Sequence, residues 1–132
     1  MSDTPSNDTF RVTGATMCGT TFNDVVGAHI DETIGKMQSR PGARLSPASC
    51  IDSYDSAGGV RFQKRQTPAV RGTAGSFTIN VLEIGGTAGT IVHTGMVAAD
   101  YHFNGNVKPH EHEQNCFYDA GNTENLAPIS TT

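Results

Sequence analysis

Residues 71–121 read RGTAGSFTINVLEIGGTAGTIVHTGMVAADYHFNGNVKPHEHEQNCFYDAG. From Ser76 to Glu83, Phe77, Ile79 and Val81 fall on one side of an extended chain, and Thr78, Asn80 and Leu82 on the other. A period of two marks a strand with one drier face. Gly85, Gly86 and Gly89 break the pattern as a hairpin turn would. Thr90 to His93 resumes it. Tyr101 and Phe103 share a face, with His102 and Asn104 opposite. Asn104-Gly105 is a short hairpin signal, because tight primed turns need positive φ. Asn115 to Asp119 alternates again and stops at Gly121. This half is expected to be an antiparallel meander of three or four strands.

Working outward, 132 residues suit one domain, with a flexible N-terminal arm over 1–8 and a C-terminal tail over 122–132. The tail holds Leu126 and Ile129 as anchors and could dock on its own subunit or on a neighbour. Thr9–Thr13 and Val60–Gln66 read as strands, Ser53–Gly59 as a turn, and Ser39–Ser49 as a long exposed loop. Phe22 to Met37 is ambiguous. Phe22, Val25, Val26, His29, Ile30, Thr33, Ile34 and Met37 recur at spacings of three and four, a helical stripe. Gly27 and Gly35 would each cost a helix about 1 kcal/mol, and Val26, Ala28, Ile30 and Ile34 fit one strand face. The fold class is therefore mainly β, an antiparallel β-sandwich or barrel with at most one helix, over residues 22–38.

Cys18, Cys50 and Cys116 match no zinc or redox spacing, and an odd count argues against a disulfide framework. No run approaches a membrane span, and Met1–Asp8 lacks the apolar core of a secretory signal. The net charge is −4 but uneven: seven of nine basic residues lie between Lys36 and Arg71, and six acidic residues follow Gly72. A net acidic chain is a poor nucleic-acid binder, whereas separated charge suits head-to-tail contacts between copies. The residues expected at such a subunit interface are Arg40, Arg44, Arg61, Lys64, Arg65, Glu111 and Glu113.

The sharpest chemical cluster is Pro109-His110-Glu111-His112-Glu113. Histidines at i and i+2 on a strand point the same way and could share a metal, with His102 joining across the Asn104-Gly105 turn. The pattern partly resembles the first cupin motif, which would imply a small metal-dependent enzyme. It departs from that motif: Gly105 is one residue too close, and the motif's acid would fall at Cys116 or Phe117. A polar turn is the plainer reading of the cluster, so no metal, cofactor or catalytic residue is expected. The carboxylate pairs Asp52/Asp55 and Glu111/Glu113 are what any acidic turn supplies, and GGTAG lacks the Lys-Ser/Thr of a phosphate loop.

GSFTINVL, TIVHTGMVAADYHFN and QNCFYDAGNTENLAPIS together resemble the small β-rich structural proteins of tailed bacteriophages, the tail-tube and related virion proteins. The resemblance implies a β-sandwich or barrel that self-assembles into rings or a tube, without catalysis or cofactor. It implies copies of itself and other virion proteins as partners, a virion location after synthesis in the host cytoplasm, and a strand rather than a helix over Phe22–Met37. A head-decoration protein is the nearest alternative.

Overall fold

A computed structural model describes residues 11–40, 42, 45–105, 110–119, 121 and 125–132. It contains eight strands: β1 (Arg11–Met17), β2 (Thr20–Phe22), β3 (Val25–Ser39), β4 (Ala48–Phe62), β5 (Ala74–Leu82), β6 (Ala88–Asn104), β7 (Glu111–Tyr118) and β8 (Ile129–Thr131). All pairings are antiparallel, in the order β2-β1-β5-β6-β7-β4-β3, with β8 paired to β6 beside β7's track. The meander expected from Arg71 onward is β5-β6-β7, and the alternation in β5 places Phe77, Ile79 and Val81 in the core. The proposed arm over 1–8 lies outside the described residues. The tail ends in a strand: β8 pairs with β6 of the same chain, and the backbones of Thr90 and Thr132 extend that ladder.

The sheet folds over on itself without closing. β6 is the corner. Residues 88–97 pair with β5 and residues 96–104 with β7. The corner falls at Thr94–Gly95, where the register with β5 shifts and Gly95 takes a φ of 73° that side chains disfavour. One layer holds β2, β1, β5 and the first half of β6; the other holds the second half of β6, β7, β4 and β3. Val12, Ala28, Ile30, Ile79, Val81, Ile91 and Ile129 line a crevice where β3 lies over β1 and β5. The arrangement is a sandwich, and of the two expected forms the closed barrel is ruled out.

No helix occurs among the described residues, and β3 occupies the stretch with the helical stripe. The reason is bulges. β3 pairs with β4 from Val25↔Phe62 to Ser39↔Ala48, with register shifts at Val25/Gly27 and Gly35/Lys36. The first bulge puts positions 25, 28, 30, 32 and 34 on one face, a spacing of three followed by twos. A bulge thus imitates one turn of helical periodicity. Ser53–Gly59, expected to be a turn, lies within β4, and β4 stops at Phe62 rather than Gln66. Asn104-Gly105 is not a two-residue turn either: Asn104 still pairs with Glu111, so the connection spans 105–110.

The core centres on Phe22, Phe62, Phe77, Met17 and Met96. Phe62 stacks on Phe22 (4.8 Å between ring centroids) and on the imidazole of His112 (5.2 Å). β4 outruns this core. β7 covers only Ala57–Phe62, so residues 48–56 pair with β3 alone. Together with Glu32–Ser39 they form a two-stranded ribbon, rooted at the buried Ser56 and largely exposed beyond it, about 27 Å long at the usual strand rise.

Two of the three thiols belong to the core. Burial pushes Cys116 up to about 12 from an ordinary 9.0, with the neighbouring Cys18 adding to the shift. Burial also raises Cys18, while Cys50 is exposed on the ribbon.

Phe62→Ala is expected to cost about 3–5 kcal/mol in denaturant unfolding. Phe117→Ala, on the outer face, should cost under about 1 kcal/mol. Because the folded thiols hold protons that the unfolded chain releases, stability is full below pH 9 and falls as pH rises toward 12. Urea midpoints measured across that range should decline, and Cys116→Ala should shallow the slope. In native protein a thiol reagent should label Cys50 alone.

Candidate interaction surface

The three histidines are not brought to one point. His112 is buried in β7; its Nδ1 lies 2.5 Å from the Tyr101 hydroxyl, and its ring packs against Phe62 and Phe103. His102 is paired across strands with Glu113, while Phe103 is paired with His112. Adjacent positions on a strand face opposite ways, so His102 points outward and His112 inward. His110 is exposed and touches the Phe103 ring at 5.6 Å. Among the described residues no three His, Cys, Asp or Glu side chains are grouped to hold a metal. The i, i+2 spacing is met by a core histidine and a surface one.

The charges regroup as well. Arg61 stands opposite Glu113, and Glu113 opposite His102, a polar row across β4, β7 and β6. The Arg61 Nε reaches Glu111 Oε1 at 3.7 Å within the same chain. Both partners are partly exposed, so the pair contributes only a few tenths of a kcal/mol, on the order of 0.5. Arg40 lies at the far end of the ribbon, and Lys64 and Arg65 follow the other end of β4. Fourteen strand steps separate Val25 from Ser39, about 46 Å. The basic middle of the sequence is therefore two groups at opposite ends of one hairpin. Arg44 lies outside the described residues. Lys64 and Arg65 are exposed and make no ion pair among the described residues.

At the root of the ribbon lies a cleft of about 260 Å³, lined by Ile51, Asp52, Ser53, Tyr54, Tyr118, Asp119, Asn125 and Leu126. Tyr54 and Tyr118 meet edge to face at 5.4 Å. The Tyr54 hydroxyl donates to Glu32 Oε1, and its pKa is pushed up to about 12, first by desolvation and then by that carboxylate. The Tyr118 hydroxyl donates to the carbonyl of Asn125 at 3.0 Å and so holds the tail as one wall.

Three polar ties went unnoticed in the sequence. The Ser56 hydroxyl donates to His93 Nε2 at 2.6 Å, while His93 Nδ1–H donates to the Thr94 carbonyl at 2.7 Å. A carbonyl only accepts, which fixes the proton on Nδ1. Both side chains are buried, so this pair joins β4 to β6 across the sandwich. Gln114, fully buried, accepts from the Ala69 N–H and donates to the Ala69 carbonyl, pinning the β4–β5 connection. Tyr101–His112 is the third. No local signal separates these residues from surface ones; only the alternation of β7 (positions 112, 114 and 116 inward) could have found two of them.

No family model matches the sequence. No curated protein matches it. Among solved structures, the fold is similar to a chain in the cryo-EM structure of the anti-feeding prophage (AFP) baseplate, symmetrised sixfold. The TM-score is 0.60 at 8% identity, covering 99% of this chain and 97% of that chain. At this identity the likeness is one of fold, and it runs along the whole of both chains.

His112→Ala should cost about 2–3 kcal/mol through lost packing, and His110→Ala should stay within about 0.5 kcal/mol. Thermal melts with and without a chelator check this. Equal, chelator-sensitive losses in both variants would mean a shared metal instead.

Proposed function

We propose that this chain is a non-enzymatic structural subunit of a phage-tail-like particle that assembles with copies of itself into a ring or tube. The observation that carries this reading is the end-to-end likeness of fold to a chain of a sixfold-symmetrised baseplate. It favours a tail position over head decoration. The partners are further copies and other virion proteins, and the location is the virion after synthesis in the host cytoplasm. No cofactor, membrane or specific nucleic-acid contact is part of the proposal.

The ribbon supports it. A two-stranded hairpin alone in water is marginal, yet this one extends about 27 Å past the sandwich. It leaves Ile34, Met37, Ile51 and Leu45 half or more exposed. Apolar residues on a ribbon with two unpaired edges call for a neighbour to cover them. A ring needs a heterologous contact, with different patches meeting. Among the residues expected at the interface, Arg40, Lys64 and Arg65 keep that part. Arg61 and Glu111 are committed to each other, and Glu113 stands between Arg61 and His102.

Light scattering after size exclusion, with negative-stain images of the same fractions, tests the reading. Rings, tubes or a defined multimer are expected. Deleting residues 40–47 should abolish the assembly while leaving the melting of the sandwich in place. A monomer at every concentration would overturn self-assembly.

A further inference from the structure

The cleft at the ribbon root has the chemistry of a socket for a basic side chain. Two carboxylates border it, Asp52 and Asp119, beside the paired rings of Tyr54 and Tyr118. Asp52 sits at the bulge opposite Gly35/Lys36, in no ion pair among the described residues. Asp119 Oδ1 accepts the Gly121 N–H at 2.9 Å, which fixes the carboxylate's orientation. Ile51 and Leu126, each about half exposed, form an aliphatic rim. A lysine or arginine matches each part. Its methylene stem lies along an apolar rim, and its charged head meets carboxylates and aromatic rings. An acidic group would be repelled by Asp52 and Asp119, and a neutral donor would gain less from them than a cation.

We infer that this cleft receives the Lys64–Arg65 segment of a second copy of this chain. The inference rests on the self-assembly reading and names its contact. Charge complementarity selects the occupant: two adjacent cations without ion pairs among the described residues face two carboxylates. Beside Lys64 lie Val25 and Val26, with Val26 47% exposed, so the segment brings its own apolar surface to the rim of Ile51 and Leu126. Both patches belong to β4 and its continuation. The cleft is at Ile51–Tyr54 and the cations begin two residues beyond Phe62. Ten or more strand steps place them about 35 Å apart, so a chain cannot fill its own socket. Repeated between copies, the contact is heterologous and propagates head to tail.

The test uses the full chain in two charge-altered forms. Asp52→Lys with Asp119→Asn makes the socket net positive, and the asparagine oxygen can still accept the Gly121 N–H. Lys64→Glu with Arg65→Glu makes the plug negative. Each form alone then opposes like charges, so its assembly midpoint in light scattering should rise at least ~tenfold over the unaltered chain. Mixed one to one, each form offers what the other lacks, and multimers of the unaltered size should return. That recovery also shows that both forms fold. Arg11→Glu, exposed on β1 and outside both patches, should leave the midpoint within about threefold, the reach of a charge away from the contact. If the unaltered chain assembles and both altered forms assemble equally well, the socket assignment is overturned while self-assembly stands. Loss in both forms without recovery on mixing overturns the pairing of these two patches. A monomeric unaltered chain overturns both readings.

Discussion

The two layers of the sandwich meet closely where the backbone of β4 lies against the ring of Phe77 on β5. A Cβ placed on Gly58 would lie 2.9 Å from two atoms of that ring and 3.1 Å from the His29 carbonyl. At Gly59 it would lie 2.5 Å from the His29 ring and 2.7 Å from the Asn115 side chain. These glycines are there for space: neither has positive φ. Because β4 can sit directly on Phe77, the second layer packs down on the first and Phe62, Val60 and Met96 become fully buried. A side chain at Gly58 would lift β4, and with it everything β4 carries, from the Phe62 stack to the socket and the ribbon.

Contact between layers would leave polar groups stranded unless they were tied, and the ties are complete. Among the described residues no buried side-chain nitrogen or oxygen lacks a partner. Ser56–His93 and Gln114–Ala69 join segments far apart in the chain, and Tyr101–His112 ties the neighbouring strands β6 and β7. Such bonds are worth about 1 kcal/mol each when made and cost more when one partner is removed. Their larger effect is specificity, because each permits one register. Ser56–His93 thereby fixes the root from which the ribbon leaves the sandwich, and beyond it Tyr54–Glu32 ties the two strands of the ribbon together.

The sequence was legible where one rule acted alone. β5 has one dry face and no bulge within Phe77–Leu82, so its alternation could be read directly. β3 and β6 each carry bulges, and every bulge resets the alternation. The outcome imitates a helix in β3 and two separate strands in β6. Ser53–Gly59 had turn composition for another reason. Ser53 and Asp55 face water on the ribbon, Ser56 turns inward to His93, Gly58 makes room for Phe77 and Gly59 for His29 and Asn115. That demand is tertiary and leaves no local trace. The histidine cluster was half legible: the spacing put His110 and His112 on one side, but nothing local told that Phe62 would claim one of them. The charges were misleading in one respect, because sequence proximity placed in one patch cations that a hairpin carries to opposite ends.

A chain built this way has two unlike halves along a single strand. In its C-terminal half β4 is flanked by β3 and β7 and packed on Phe77, and it sets the stability of the free chain. In its N-terminal half it has one partner strand and an exposed Ile51, which a neighbouring copy would cover in the proposed assembly. Apolar burial can supply the free energy of that covering but is indifferent to register, since Ile34, Ile51 and Leu126 would accept any greasy neighbour. Charge discriminates, because a carboxylate buried opposite anything but a cation is costly. In the proposed assembly, charges at the two ends of β4 and its continuation would convert a general tendency to stick into a defined offset from one copy to the next. The length of β4 would then set that offset, and Gly58, which seats β4 on Phe77, would matter to the proposed assembly as well as to folding.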